Sequence, residues 1–218
     1  MTQNTLVPAG TALDHLLLGA ADLDAGFAWV EKTNGVRPTA GGIHPDRGTR
    51  NALVSLHGRQ YLEIIAPDPA QPPEHLSMNL RPLAEPRLIG WAAVASDIDS
   101  LANRIRAAGH QVSGPRDGSR KRPDGGVLKW RTLGIASSLS GGDVDPIPFF
   151  IQWSTDSVHP SEDSPKGCTL ASLEFGHPNP ESLRSEFQAL RIDAAILVSR
   201  SARLTATLRT PRGDVTLS

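Results

Sequence analysis

The sequence predicts an α+β fold in which tandem units form curled mixed β-sheets around a concave cup, with the helices packed outside. Three observations predict this fold. An apolar strand followed by Asp-[Leu/Ile]-Asp and a helical pattern occurs twice, and a weaker copy follows. Glycine (20 residues) and proline (18 residues) are plentiful, which favours turns and short strands. The length of 218 residues allows one large domain or two small ones.

Unit one opens at Leu13 with an apolar strand that runs towards Asp22, and a helical pattern then ends at Gly35. Asp22 predicts a helix N-cap, because its carboxylate can accept hydrogen bonds from the N–H groups of the first turn. Gly35 can adopt the left-handed conformation that commonly ends a helix. Strand-like segments follow at 52–56 and 60–65, so the unit is a strand, a helix and further strands.

Unit two repeats this order from Leu88. Asp97 is its predicted N-cap and Gly109 its predicted helix end, and strand-like segments follow at 127–133 and 148–153. A single unit cannot bury its sheet face alone. Packing one unit against the other solves this and leaves a concave surface between the curled sheets.

A third, fainter copy begins with an apolar strand at 170–176. Asn179 and Pro180 predict the start of a helix, with strand-like segments at 195–198, 204–209 and 214–217. We therefore expect a two-unit domain over 1–160, with units at about 12–70 and 87–155. We expect a third, partial β-α-β unit over 165–218, packed on the same domain.

Composition narrows the function classes. Lys and Arg total 22 and Asp and Glu total 23, which argues against sequence-independent nucleic-acid binding. No apolar run is long enough to span a membrane, the N-terminus does not read as a signal peptide, and Cys168 is the single cysteine, so we expect a cytoplasmic protein. The motifs of serine hydrolases, P-loop NTPases, Rossmann enzymes and HExxH metalloproteases are missing from the sequence.

Short motifs in a fixed order carry a family resemblance. They are Leu13-Asp14-His15, Asp22-Leu23-Asp24, Gly41-Gly42-Ile43-His44, Gly48-Thr49-Arg50-Asn51, Tyr61-Leu62-Glu63-Ile64, Gly90-Trp91, the segment 119–125 and Pro148-Phe149-Phe150-Ile151-Gln152-Trp153. Over about residues 12–178 the chain resembles the glyoxalase-like domain family of the vicinal oxygen chelate superfamily. The resemblance implies paired βαβββ units and a divalent metal whose ligands come from the first and last strands of each unit.

His15 and Glu63 match those two positions in unit one, and an imidazole with a carboxylate suits Zn, Fe, Mn, Co or Ni. In unit two the repeat places Gly90 and Trp91 opposite His15, and Gln152 opposite Glu63. The predicted metal ligands are therefore His15, Glu63 and the weaker Gln152, with His44 as an outside candidate. Two alternatives stay open: His15 and Glu63 form a hydrogen-bonded pair that lines a pocket, or His15 is simply buried in the core.

His44, in a Gly-Gly-x-His loop, is either the candidate acid, base or binding group, because the glycines would let a ligand approach closely, or a surface-loop residue that caps the local backbone. Asn51 either touches the substrate or satisfies the backbone of its loop. Arg120 and Arg131 belong to a basic segment, 116–131, that is either a solvated face or a source of guanidinium groups that hold an oxyanion.

Trp91 and Trp153 either form a flat wall against a ring or a fatty chain, or are core residues. The leading hypothesis is a metal-dependent lyase, isomerase or dioxygenase that acts on a small organic molecule. The alternatives are a metal-free binding protein of the bleomycin-resistance type and an interaction module. We expect a small-molecule ligand, acidic or with an apolar ring or chain, neither nucleic acid nor membrane as partner, and a homodimer as one option for assembly.

Overall fold

The computed structural model describes residues 5–45, 47–76, 78–121, 125–140 and 142–218. Arg122 and Asp124, which belong to the predicted basic segment and its turn, lie outside these ranges. Within them the chain forms a large mixed sheet of eight strands, a sheet of four strands and a two-stranded pair. No helix in this part of the chain is long and apolar enough to cross a bilayer.

The first half of the chain contains a short lead-in and unit one. Its elements are β1 (Val7–Pro8), α1 (Ala9–Ala12), β2 (Leu13–Gly19), α2 (Leu23–Asn34), β3 (Thr39–His44), β4 (Thr49–Ser55), β5 (Tyr61–Pro67) and a 3-10 helix at Pro73–His75. The predicted caps of α2 are confirmed: the Asp22 carboxylate accepts a hydrogen bond from Ala25 N at 2.9 Å, and Gly35 has a φ of 75°.

Unit two and the third unit follow. Their elements are β6 (Arg87–Val94), α3 (Ile98–Ala107), β7 (Gln111–Lys121), β8 (Val127–Ala136), β9 (Phe149–Trp153), α4 (Pro160–Asp163), β10 (Thr169–His177), α5 (Pro180–Ala189), β11 (Ile192–Asp193), β12 (Ala195–Val198), β13 (Arg203–Thr210) and β14 (Gly213–Leu217). The caps predicted at Asp97 and Asn179 are confirmed, and Gly109 follows α3 with a φ of 91°.

The eight-stranded sheet joins the two units edge to edge. Its order is β3-β4-β5-β2-β6-β9-β8-β7, with the first strand of each unit parallel to the last strand of the same unit. Where the units meet, β2 and β6 run antiparallel, pairing Leu17 with Gly90 and His15 with Ala92. A local two-fold relation therefore exchanges His15 with Gly90 and Leu17 with Ala92, which agrees with the predicted repeat.

The third unit has a different strand order from the first two. Strand β10 lies between β12, which is parallel to it, and β13, so the sheet order is β12-β10-β13-β14. This unit is consequently not a third copy of the same topology. Its apolar side chains join those of units one and two in a single buried cluster, whose largest members are Trp91, Phe175 and Phe187.

Candidate functional site

A bulge in β2 places two polar side chains next to each other. Strand β6 pairs Ala93 with Leu13 and Ala92 with His15, so Asp14 is an extra residue in β2. Its side chain lies beside that of His15, and His15 Nδ1 is 2.7 Å from Asp14 Oδ1. Both side chains are almost fully buried on the cup side of the sheet. This contact fixes the orientation of the His15 ring.

Glu63 lies on β5, next to β2, and receives contacts at both carboxylate oxygens. Its Oε2 is 3.3 Å from His15 Nε2, and its Oε1 accepts a hydrogen bond from Asn51 Nδ2 at 2.6 Å. Burial alone would raise the pKa of Glu63, but attraction to His15 and His44, the Asn51 hydrogen bond and Arg120 lower it below its ordinary value. Glu63 is therefore an ionised carboxylate at neutral pH.

His44 closes the cluster at the end of β3. Its Nδ1 is 2.9 Å from Thr49 Oγ1, and its Nε2 is 3.7 Å from Glu63 Oε1 and 3.4 Å from Asn51 Nδ2. Burial and nearby Arg120 lower the pKa of His44, against the opposing effect of Glu63. Because the Asn51 amide nitrogen can only donate, Nε2 of His44 accepts and Nδ1 carries the proton towards Thr49.

Arg120 reaches the same cluster from β7, and its side chain is buried. The Arg120 side chain packs across Gly41 and Gly42. A Cβ atom on Gly42 would lie 2.7 Å from Arg120 Cδ, and a Cβ atom on Gly41 would lie 2.9 Å from Arg120 Nη1. The two glycines thus make room for Arg120, whereas the sequence predicts that they admit a ligand. The guanidinium places positive charge beside Glu63 and His44.

Two residues predicted for the site lie on the opposite, helix-covered face of the sheet. Gln152 Oε1 accepts a hydrogen bond from Ile98 N at the start of α3, at 2.9 Å. Arg131 makes a two-pronged contact with Asp99 of the same helix, at 2.6 and 3.0 Å. The sequence predicts that Gln152 and Arg131 join His15 and Glu63. The register of β8 and β9 corrects this placement, because it turns the neighbouring side chains, Trp130 and Trp153, towards the cup instead.

Trp91 is a core residue and does not form a wall of the cup. Only 1% of its surface is exposed, and its ring packs against Phe175 and Phe187 of the third unit, with centroids 5.4 and 6.2 Å away. Its indole N–H donates to Pro146 O at 2.9 Å. The structure therefore places Trp91 in the core and not in a wall against a ligand.

The register also identifies the true counterpart of Glu63 in unit two. Leu17 pairs with Glu63, and its two-fold equivalent Ala92 pairs with Phe149. Phe149, and not Gln152, therefore occupies the position of Glu63, and its ring lies edge-on to His15 with centroids 5.5 Å apart. Unit two offers a glycine and a phenylalanine where the predicted metal site needs ligands.

The predicted metal centre does not fit this donor set. Gln152 is committed to a helix on the other face of the sheet, which leaves His15 and Glu63 from the predicted three. His44 also approaches Glu63, but the Asn51 amide nitrogen fills the space between them. Among the residues that the structure describes, no three His, Cys, Asp or Glu side chains form a metal-holding group.

One residue of the site, His159, gives no usable signal in the sequence, and Trp153 is predicted only as a wall or core residue. His159 is fully buried, and its Nε2 is 3.2 Å from Asp14 Oδ2. Trp153 donates its indole N–H to the same oxygen at 3.0 Å. Tyr61, whose ring stacks on His15 with centroids 4.6 Å apart, fills the space between His15 and His159. Only the tertiary structure brings these side chains together.

The cluster opens to solvent at its His44 end. The His44 side chain is 16% exposed, against 8% for Glu63 and 3% for His15. Two surface cavities, of about 710 and 440 Å³, do not include His44, Glu63 or His15: the larger is lined by Trp29 and Arg87, and the smaller by Gln152, Arg131, Trp130 and Trp153. A ligand that reaches the charged cluster therefore meets His44 first.

Paired βαβββ units joined through their first strands, with polar side chains on the cup face, define a protein of the vicinal oxygen chelate superfamily. The sequence profile of the glyoxalase-like domain family matches residues 13–191, so the chain belongs to that family. None of the curated proteins matches the sequence.

Two solved structures are similar to this chain, and the first supports the fold. A hypothetical protein from Staphylococcus aureus is similar with a TM-score of 0.65 and 19% identity, over 94% of this chain and 83% of that one. Methylmalonyl-CoA epimerase from Mycobacterium tuberculosis has a TM-score of 0.47 and 22% identity, over 70% of this chain and 91% of the epimerase chain. At these identities the likeness concerns the fold alone.

Proposed function

We propose that this chain is an acid–base enzyme of the glyoxalase-like family that moves a proton on a small organic anion, with His44 as the base. The observation that carries the proposal is the state of His44. Its imidazole lies at the solvent-facing end of a buried charged cluster, with Nδ1–H directed at Thr49 and the Nε2 lone pair in only a long contact, 3.4 Å, with Asn51 Nδ2. An imidazole held in this way is prepared to accept a proton from a bound molecule.

The neighbours of His44 supply the charges that such a transfer needs. When Nε2 takes a proton, the imidazolium forms 3.7 Å from the ionised Glu63 carboxylate, which stabilises it. Arg120 adds positive charge on the same side, which attracts an anionic substrate and stabilises an oxyanion that develops as the proton leaves carbon. Asn51, bonded to Glu63, holds the carboxylate in place.

The proposed step balances with these groups alone. A C–H bond beside a carbonyl breaks, its proton goes to His44 Nε2, and the electron pair moves to the carbonyl oxygen as an enolate. Return of the proton from His44 to a neighbouring carbon completes an isomerisation, whereas return to the original carbon after exchange with solvent leaves only the isotope changed. This narrows the broader expectation of a lyase, isomerase or dioxygenase to the classes that need only proton transfer.

Solvent deuterium exchange tests the proposal without knowledge of the net reaction. The chain is incubated in D₂O with 2-oxo, 3-oxo and 2-hydroxy acids, and deuterium uptake at carbon is read by proton NMR. We expect uptake in at least one acid, lowered at least about a hundredfold in His44→Gln, as for loss of a general base. The matched control His75→Gln, at an exposed histidine, keeps the wild-type rate. Equal rates in His44→Gln and the wild type would show that His44 is not the base.

A second candidate function, binding without turnover, is supported by Phe149. An apolar ring at the position of Glu63 makes the cup less polar in unit two, as in a pocket that holds a ligand by contact. In that case a screened acid raises the melting temperature but exchanges no deuterium. Exchange that depends on His44 decides in favour of the enzyme.

A further inference from the structure

A chain of alternating imidazole and carboxylate groups runs through the site and extends beyond the residues used so far. It begins at His159, passes through Asp14, His15 and Glu63, and ends at His44. The successive contacts are 3.2, 2.7, 3.3 and 3.7 Å. The proposed reaction uses only the last two members, so the buried first half of the chain needs its own explanation.

His159 has a defined ring orientation and a defined tautomer. The backbone N–H of Ser161 donates to His159 Nδ1 at 3.2 Å, and a backbone N–H can only donate. The Ser161 hydroxyl oxygen also lies 2.8 Å from Nδ1 and donates to Gly58 O at 2.9 Å, but the Asp14 carboxylate oxygen that lies 3.2 Å from Nε2 can only accept. Nδ1 of His159 is therefore an acceptor, Nε2 carries the proton, and that proton points at Asp14 Oδ2.

Asp14 is held from both of its oxygens. Oδ2 receives the N–H groups of His159 and Trp153, at 3.2 and 3.0 Å, which leaves Oδ1 for His15 Nδ1. Burial would raise the pKa of Asp14, but the hydrogen bonds from His15 and His159 lower it, so the group is an ionised acceptor. The His15 ring then has one orientation available: Nδ1–H towards Asp14 and Nε2–H towards Glu63, because both carboxylates can only accept.

We propose that His159 and Asp14 are positioning residues, which hold His15 against Glu63 and so fix the carboxylate beside His44. His159 belongs to the segment that connects unit two to the third unit, and this segment thereby completes a site built mainly by unit one. The inference rests on the proposed function for its relevance to catalysis. The positioning itself is a property of the folded chain and can be measured without a substrate.

Two substitutions of His159 separate positioning from packing. His159→Phe keeps a ring against Tyr61 and Trp153 but has no N–H for Asp14, whereas His159→Gln provides an amide N–H. The readout is the Nδ1 proton of His15 in ¹⁵N-histidine-labelled protein, assigned with His15→Gln. A buried N–H held by a carboxylate at 2.7 Å exchanges slowly and resonates at low field.

We expect this resonance in the wild type, in His159→Gln and in the control His75→Gln, and its loss in His159→Phe. Deuterium exchange of the active acid should fall at least about tenfold in His159→Phe and recover in His159→Gln. If the Phe variant does not fold, Ser161→Ala, which frees the His159 segment from Gly58, should broaden the same resonance.

An unchanged His15 resonance in His159→Phe, or in Ser161→Ala where that variant is used, would overturn the positioning role. If the resonance responds as expected but no acid exchanges deuterium, the positioning stands and the proposed reaction fails. If deuterium exchange depends on His44, but neither the His15 resonance nor the exchange rate changes in His159→Phe, the proposed reaction stands and the positioning role fails.

Discussion

Replacing Asp14 with alanine tests whether the buried charge network also supports the fold. Asp14 accepts hydrogen bonds from two buried histidines and from the half-buried Trp153, at 2.7 Å from His15, 3.2 Å from His159 and 3.0 Å from Trp153. The substitution leaves these donors inside the protein without their acceptor. It therefore measures what a fully partnered buried carboxylate contributes to stability.

The contacts set the expected size of the effect. A buried donor that loses its partner costs about 1–3 kcal/mol, and removing one member of a buried charged pair costs about 3–5 kcal/mol. Because the three donors meet at one carboxylate, their costs do not add fully, and we expect Asp14→Ala to lose about 4 kcal/mol. Asp14→Asn keeps the shape and one acceptor oxygen, so its loss should be about 2 kcal/mol.

The pH dependence has a definite sign. The hydrogen bonds from His15 and His159 outweigh burial and lower the pKa of Asp14 in the folded state. A carboxyl with a lowered folded pKa stabilises the protein fully above its unfolded value of about 3.9, and this contribution is lost as the pH falls through the folded value. The difference between wild type and Asp14→Asn should stay constant from pH 7 to about pH 5 and shrink below about pH 4.

Urea unfolding followed by far-UV circular dichroism measures these differences. Asp156→Ala, at an exposed turn, is the control and should change the free energy of unfolding by less than about 0.5 kcal/mol. A loss below about 1 kcal/mol for Asp14→Ala, with an unchanged denaturant slope, would refute the reasoning. So would a difference between wild type and Asp14→Asn that grows as the pH falls towards 3.

Three further predictions follow from burial and from the donor set. Burial raises the pKa of the Cys168 thiol to about 11, so Ellman's reagent should leave it unmodified at pH 7 and react only after unfolding; rapid labelling of the native chain would contradict this. Trp91→Ala should lose about 3–5 kcal/mol by thermal unfolding, because its ring is enclosed by the third unit, and a loss near zero would remove Trp91 from the core. Elemental mass spectrometry of protein purified without chelators should find no stoichiometric divalent ion, and Gln152→Ala should not alter that result; one tightly held ion per chain would show that the donor set was misjudged.

The sequence indicates most of the fold because its signals are local. Strands β2, β4, β5, β6, β8 and β9 are apolar enough to recognise, and the caps at Asp22, Asp97 and Asn179 are short-range hydrogen bonds. Strands β3 and β7 are missing from the prediction, since both lie at the edges of the large sheet and consist largely of Gly and polar residues. An edge strand buries little apolar surface, so its pattern is weak.

The sequence predicts those site residues that can be recognised from their residue type and from the alternation of side chains along a strand. The residue types of His15, Glu63 and His44 and their positions in the motifs identify them as candidate site residues, and the structure brings their side chains together. The prediction for Gln152 fails because the order of the motifs does not fix which residue of β9 pairs with β6. A one-residue slip in such a pairing moves a side chain to the other face of the sheet. His159 has no local pattern at all, because its partner Asp14 is 145 positions away in sequence.

The site is asymmetric although the fold repeats, and this asymmetry follows from where the charges are. Unit one provides the two buried carboxylates of the site, Asp14 and Glu63, and unit two provides Arg120 and the apolar Phe149. A buried carboxylate is costly unless donors reach it, and Asp14 receives one of its donors from the segment that follows unit two. The charged cluster is therefore complete only when the chain has folded beyond unit two, so loss of that segment's docking should disorder His15 before it unfolds the sheet.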